Sequence, residues 1–465
     1  MSTLPFDAAS AVPFYKQIYD GYRDAILSGR LRPGERLPSS RALAAELRIS
    51  RLPVVNAFEQ LLHEGYIVGR AGSGTYVNGS IPDELFRVEA SAGRTGASVP
   101  PKSPAIGALR VSLPALDRFP LRVWARLTAK HAKNLTVDQM AYGDPAGYAP
   151  LRAAIADYVR TARAVQCEAD QVLIVSGSQM ALQICALALL GRGSAAAIEE
   201  PGYPGAHDAL TRTGARLVPV RVDDEGIDVR ALAATGKRVK AVYVTPSHQY
   251  PLGVSMSLAR RLELLDWARR SGAWIIEDDY DSEYRYASRP LGALQGLDAA
   301  ARVVYIGTFS KVLFPALRIG YIVVPRELID SFVRYRESID LFSPTLQQVV
   351  LADFLGEGHF GRHLRRMRVV YEKRRDALVR GLREHCDLTP HNSDAGLHVS
   401  AFLPRRVSDR AVVREAARRG IDILPLSTCY LAEPRNGLIL GFGGTSERRI
   451  LTACRTLGEV LRSPG

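Results

Sequence analysis

The sequence predicts an α/β protein in two unequal parts: a small N-terminal α+β segment and a large domain with a mostly parallel sheet. Three observations predict it. From about Ala108 onward, short β-rich runs alternate with helix-length periodic stretches, the pattern of βαβ units. Pro13 to Asn78 is dense in helical periodicity and ends on a glycine-bounded hairpin. Between them, GSIPDELFRVEASAGRTGASVPPKSPAIG is rich in Gly, Ser, Ala and Pro and has no sustained period, so it reads as a mobile linker with at most one short helix near Pro82–Val88. The expected domains are therefore 1–78, a linker over 79–107, and 108–465.

Composition agrees with this and decides little more. The 465 residues are 47% hydrophobic and 23% charged, with a mean hydropathy of -0.04, which argues against a disordered or fibrous chain. With no long apolar run and no basic-then-apolar leader, neither a membrane span nor a secretory signal is expected. Five scattered cysteines without a CxxC pair read as reduced thiols in a cytoplasmic protein. The nine histidines show no metal-binding spacing, so no metal is expected, and no GxxxxGK[ST] run is present. A net charge of +13 permits a nucleic-acid partner without proving one.

The first helix, around Phe14–Ser28, is amphipathic, with Ile18, Tyr22, Ala25 and Ile26 on one side. The chain turns at Pro33-Gly34. A second helix opens at Ser39 or Ser40, whose hydroxyl caps free backbone N–H groups, and carries Leu43 and Leu47 one turn apart. After a break at Ile49-Ser50, a third helix has Pro53 near its first turn and Val54, Phe58 and Leu61 on its apolar face. Helix, short turn, helix, with a basic residue at the start of the second, suits insertion into a major groove. YIVGRAGSGTYV then reads as two strands around Gly72-Ser73-Gly74, a wing able to reach phosphates or the minor groove.

The run LPSSRALAAELRISRLPVVNAFEQLLHEGYIVGRAGSGTYV resembles the winged helix-turn-helix of the GntR family of bacterial transcription regulators. The resemblance implies contacts with double-stranded promoter DNA from Arg41, from Ser50 and Arg51 at the start of the recognition helix, and from Arg70 and Ser73 in the wing. Arg51 suits bidentate readout of a guanine edge, and Arg41 and Arg70 suit phosphates. Leu52 and Pro53 stand where the family often has small hydroxyl residues, so contacts there are apolar or lost.

In the large domain the strands expected are 172–175, 195–198, 241–245, 273–277, 303–306 and 321–325, with helices such as 179–190 and 258–270 between them. Lys311, in VVYIGTFSKVLFPALRIGY, follows an apolar strand and a small-residue turn; partial desolvation there favours the free amine that a Schiff base needs. Upstream, WIIE runs into Asp278-Asp279-Tyr280, a carboxylate able to keep a pyridine nitrogen protonated and a phenol able to bond a ring hydroxyl. VLIV leads into Ser176-Gly177-Ser178-Gln179 at a helix start, where free N–H groups suit a phosphate. Tyr203 follows another strand and suits stacking on a ring. Arg318, seven residues past Lys311, adds a positive charge.

In this order, the motifs resemble the fold-type-I pyridoxal-phosphate proteins, the aspartate aminotransferase superfamily. The resemblance implies pyridoxal 5′-phosphate as cofactor, an internal aldimine at Lys311, Asp278 on the pyridine nitrogen and Tyr280 on the phenolic oxygen. It implies Ser178, Gln179, Thr308 and Arg318 around the phosphate, Tyr203 stacked on the ring, and Tyr142 reaching the partner's phosphate across a dimer interface. Two positions depart from the pattern. Tyr250 replaces the usual asparagine, with His248 or Gln249 as substitutes. Ile439 stands about where catalytic members carry an arginine for the substrate carboxylate, with Arg435 four residues away. If Ile439 holds that position, a simple α-carboxylate substrate is disfavoured.

The combination resembles the MocR subfamily of bacterial regulators. It implies a cytoplasmic, homodimeric, domain-swapped transcription factor that senses pyridoxal phosphate itself or a small amine or amino-acid effector through Lys311. The alternative is a working aminotransferase carrying a DNA-binding domain. The two departures favour regulation.

Overall fold

The computed structural model describes residues 6–7, 10–79, 106–235, 238–286 and 292–462. The chain divides into two compact units, Met1–Ser103 and Pro104–Gly465. The short helix expected near Pro82–Val88 lies outside the described residues. The last residue assigned to the linker, Gly107, packs on the large unit: a Cβ there meets Asp422 Cβ at 2.6 Å, and the next residue, Ala108, bridges Ile421.

In the small unit α1 (Phe14–Leu27), α2 (Ser40–Leu47) and α3 (Arg51–His63) precede a hairpin of β1 (Ile67–Arg70) and β2 (Gly74–Val77). The Ser39 hydroxyl caps α2, accepting from Ala42 N at 3.2 Å. The helix ends at Leu47, because Arg48 takes the left-handed conformation at φ 55°. Ile18, Tyr22, Ile26, Leu43, Val54, Phe58 and Leu61 are all buried in one cluster, as the periodicity predicts. Tyr22 meets the Phe58 ring edge-on at 5.5 Å.

The large unit holds an eight-stranded sheet. Its strands are β3 (Val172–Val175), β4 (Ala195–Glu200), β5 (Arg216–Asp223), β6 (Gly226–Ile227), β7 (Val239–Val244), β8 (Trp274–Asp279), β9 (Val303–Thr308) and β10 (Gly320–Val323). The order is β3-β10-β9-β8-β7-β4-β5-β6. From β9 through β8, β7 and β4 to β5 all pairs are parallel, while β10 runs antiparallel to both neighbours. Helices cover both faces, which is why the central strands read as unbroken apolar runs. β5 escaped the sequence reading because it alternates: Val218 and Val220 are buried while Pro219 and Arg221 face outward.

A second, antiparallel sheet of β11 (His398–Phe402), β12 (Leu424–Pro425) and β13 (Gly437–Gly441) was likewise not anticipated. All five cysteines are buried free thiols. Among the described residues, no helix is long and apolar enough to cross a membrane.

Candidate functional site

The carboxyl ends of β3, β4, β7, β8 and β9 point to one side of the sheet, where open α/β sheets receive their ligands. A cavity lies there. Its walls include Ser178 after β3, Tyr203 after β4, Tyr243 in β7 and Tyr250 beyond it. Asp278, Tyr280, Lys311 and Ser112 complete the lining.

Strand alternation sorts the two adjacent aspartates. Asp278 faces the cavity side and accepts from the Tyr243 hydroxyl at 2.9 Å on Oδ2. Asp279 faces away and is paired with Arg163 at 2.8 Å and with the Tyr305 hydroxyl at 2.7 Å. Burial pushes Asp278 up to about 7, opposed by the Tyr243 hydrogen bond. Burial acts on Asp279 in the same sense, but Arg163 and the hydrogen bonds around it outweigh burial and hold that carboxyl below its ordinary value. Asp278 Oδ1 is buried with no hydrogen-bond partner among the described residues.

Lys311 follows β9 and donates to the Ser112 carbonyl at 3.3 Å. Burial lowers its pKa, with Asp281 and Asp278 pulling the other way. At the start of the helix Ser178–Leu189, Gly177 sits at φ 95° and a Cβ there meets Arg318 Nη2 at 3.2 Å. The missing side chain lets the guanidinium, which donates to the Ser176 carbonyl, lie against the helix N-terminus. That cradle of cation and backbone N–H groups is shaped for an anion.

Five residues expected at the site, Lys311, Asp278, Tyr280, Tyr203 and Ser178, line one cavity. Five others sit outside its walls. Gln179 donates to the Gly205 carbonyl at 2.8 Å, and Thr308 Oγ1 accepts from Ser310 N at 3.2 Å. Arg318 sits beside Gly177. His248 does not reach the cavity: it lies behind Tyr280, whose hydroxyl donates to the His248 carbonyl at 2.9 Å. Gln249 is no substitute either, since its amide is spent on the Pro201 and Tyr250 carbonyls at 2.8 and 2.7 Å. Tyr142 is 85% exposed.

Ile439 is fully buried in β13, in an apolar cluster with Tyr250 and Leu426. Arg435 stacks its guanidinium on the Phe402 ring, 4.0 Å from the centroid. Sequence reasoning missed Tyr243 and Ser112. It also missed that His248, Asp281 and His398 each place a ligand-type atom within 4.8 Å of the others.

On the small unit Arg41, Ser50, Arg51, Arg70 and Ser73 are all exposed. Arg51 Nε donates to Ser40 Oγ at 3.0 Å, which ties the guanidinium to the start of α2. In the wing, Arg70 stacks on Tyr76 at 4.7 Å and the Ser73 hydroxyl bonds the Tyr76 hydroxyl at 2.6 Å. Arg36, not anticipated, pairs with Tyr76 along the hairpin edge, and its side chain lies 3.1 Å from where a Gly74 Cβ belongs.

Residues 112–457 match the family model for aminotransferase class I and II, and residues 14–77 match that for bacterial regulatory proteins of the gntR family. The chain is 39% identical to the "Probable rhizopine catabolism regulatory protein MocR" of Rhizobium meliloti, over 99% of this chain and 97% of that one. It is 33% identical to the HTH-type pyridoxine biosynthesis transcriptional regulator PdxR of Corynebacterium glutamicum, over 93% and 92% of the two chains. Among solved structures it is similar to LysN, the α-aminoadipate aminotransferase of Thermus thermophilus complexed with N-(5'-phosphopyridoxyl)-L-leucine. That match has a TM-score of 0.72 at 30% identity and covers 77% of this chain and 92% of that one.

Proposed function

The chain belongs to the MocR-type regulators, in which a gntR-family DNA-binding domain precedes an aminotransferase class I and II domain, and from that membership we propose how its residues are used. It is a DNA-binding transcriptional regulator whose large unit has the fold-type-I aminotransferase fold and takes pyridoxal 5′-phosphate. When bound, that cofactor supplies a carbonyl that captures primary amines.

The observation that carries the assignment is the buried Oδ1 of Asp278, without a partner among the described residues, on the residue that lines the same cavity as Lys311. A carboxylate left unpaired in a dry site costs free energy unless a cation or donor arrives, and a protonated ring nitrogen meets that need. In this reading Asp278 holds the ring nitrogen and Tyr280 the phenolic oxygen, while Tyr203 covers the ring. Ser178, Gln179, Thr308, Arg318 and the backbone at Gly177 take the phosphate. Lys311, kept from full protonation by burial, presents its amine to the carbonyl. Tyr142, exposed in one chain, completes the phosphate site of a second copy in a domain-swapped homodimer.

The small unit grips promoter DNA through Arg41, Ser50, Arg51, Arg70 and Ser73. Occupancy of the Lys311 site, by pyridoxal phosphate itself or by an amine effector joined to it, changes how two such units fit spaced half-sites in the cytoplasm. Regulation is favoured over amino-acid turnover because Ile439 is walled into an apolar cluster and Arg435 is committed to Phe402. An α-carboxylate entering beside them meets neither as a partner.

The test is the visible spectrum of the full chain beside Lys311→Ala, with pyridoxal phosphate and a panel of amines. The expected result is a lysine-dependent band that one amine shifts, and DNA affinity that changes with the same amine. No band with excess pyridoxal phosphate overturns the proposal.

A further inference from the structure

Resting on the reading of Lys311 as the cofactor site, we infer that His248 and Asp281 are positioning residues. They form a buried pair behind the cavity that sets how strongly Tyr280 donates to a ligand's phenolic oxygen.

Both side chains are almost wholly buried, and His248 Nδ1 lies 3.1 Å from Asp281 Oδ1. The other carboxylate oxygen accepts from Leu397 N at 3.2 Å. An ionised carboxylate only accepts, so Asp281 keeps the imidazole proton on Nδ1. The Tyr280 oxygen lies 3.1 Å from the same Nδ1 and 2.9 Å from the His248 carbonyl, to which it donates. An acceptor arriving in the cavity draws the Tyr280 proton towards itself. The tyrosine oxygen then shares Nδ1–H with Asp281 Oδ1, both oxygens lying 3.1 Å from that nitrogen. The result is a donor chain from His248 through Tyr280 to the ligand, anchored by Asp281.

A second feature marks the pair as built. Gly396 takes φ 72°, and a Cβ there comes within 2.1 Å of His248 Cε1 and 2.6 Å of Asp281 Oδ2. The pair occupies the space that a side chain at position 396 requires. The titratable groups facing it are Tyr280 from the end of β8, His398 from β11, and, acting on Asp281 and its neighbours, Asp278, Lys311 and Tyr286. Burial and the neighbouring His248 push His398 down to about 3, so it is neutral and donates Nε2–H to the Pro251 carbonyl at 3.2 Å.

The experiment titrates the visible absorbance of the pyridoxal-phosphate-loaded full chain against pH. Its variants are His248→Leu, His248→Asn and Asp281→Asn. Weaker donation from Tyr280 leaves more negative charge on the phenolic oxygen, which holds the proton on the Lys311-linked nitrogen to higher pH. His248→Leu and Asp281→Asn therefore raise the midpoint by roughly half a pH unit or more. His248→Asn, which puts an amide N–H where Nδ1 stood, titrates close to the wild type.

An unmoved midpoint in His248→Leu overturns the inference, as does a His248→Asn shift as large as that of His248→Leu. So does stoichiometric zinc that is lost in Asp281→Asn. If His248→Leu does not fold by circular dichroism, Asp281→Asn carries the same decision. A wild type with no lysine-dependent band overturns the cofactor-site reading and this one with it, whereas a band with an unmoved midpoint overturns this one alone.

Discussion

The Tyr243 hydroxyl donates to one oxygen of Asp278 at 2.9 Å and leaves the other buried without a partner among the described residues. The strands set this half-satisfied state: β7 and β8 are parallel neighbours, and their side chains reach the same cavity. Burial pushes Asp278 up to about 7 from 3.8. An acid with a raised folded pKa takes up a proton on folding. Its contribution to stability is complete below about pH 4 and is lost as the pH rises through about 7.

The first prediction follows from that sign. In the cofactor-free protein, Asp278→Asn raises the midpoint of thermal unfolding at pH 8 and changes it little at pH 4. The gain at pH 8 is on the order of a few kcal/mol. The same variant loses its grip on pyridoxal phosphate. Thermal melts at the two pH values, with a cofactor titration alongside, check both halves. An equal gain at pH 4 and pH 8 would contradict the assignment of the raised pKa to Asp278.

Tyr243→Phe removes the side-chain donor to Asp278, leaving both oxygens without a partner among the described residues. We expect a loss of about 1–3 kcal/mol at pH 8. We also expect weaker cofactor binding. In an Asp278→Asn background the same substitution costs less, because the charge that needed the hydroxyl is gone. Additive losses in that double-mutant cycle would mean that Tyr243 acts through packing alone.

Gly177→Ala tests the anion cradle. Position 177 sits at φ 95°, and a methyl there meets the Arg318 guanidinium at 3.2 Å. The substitution strains the loop and pushes the cation off the helix N-terminus. Pyridoxal-phosphate affinity falls roughly tenfold or more, the scale of one charge-assisted contact. Arg318→Gln gives a similar loss without the backbone strain. Cofactor affinity measured at constant ionic strength reads both, and an unchanged value in Arg318→Gln removes it from the phosphate site.

Much of this was legible in the chain, for identifiable reasons. The apolar runs at 172–175, at the sheet's edge, and 303–306, inside it, announced strands because both of their faces are covered. Lys311, Asp278, Tyr280, Tyr203 and Ser178 were legible because each lies at the end of such a strand or just past it. Tyr243 was not, since an aromatic inside an apolar strand reads as core until its hydroxyl is seen to meet Asp278. His398 lies in β11, part of a small sheet with weak patterning, and its approach to His248 depends on long-range packing. His248 was placed at the cofactor because spacing cannot distinguish a residue in the wall from one behind it.

The last prediction concerns DNA. Arg51 is held by Ser40 across the helix-turn-helix at 3.0 Å, and beside it Leu52, 67% exposed, is presented on the first turn of α3. An arginine so placed suits a guanine edge, and an exposed leucine suits a thymine methyl. Arg51→Ala should cost about 1–3 kcal/mol on a selected duplex and relax preference at one base pair. Ser40→Ala gives a smaller loss in the same direction. Leu52→Thr changes the preferred base at the neighbouring position, and replacing that thymine by uracil weakens the wild type but not the variant. Arg41→Ala, by contrast, weakens all sequences alike and lowers the salt slope by about one. Selection of duplexes from a random library by the full-length protein, followed by affinities at several salt concentrations, separates these outcomes. An Arg51→Ala protein that selects the wild-type sequence would take base readout away from Arg51 and leave it as a phosphate contact.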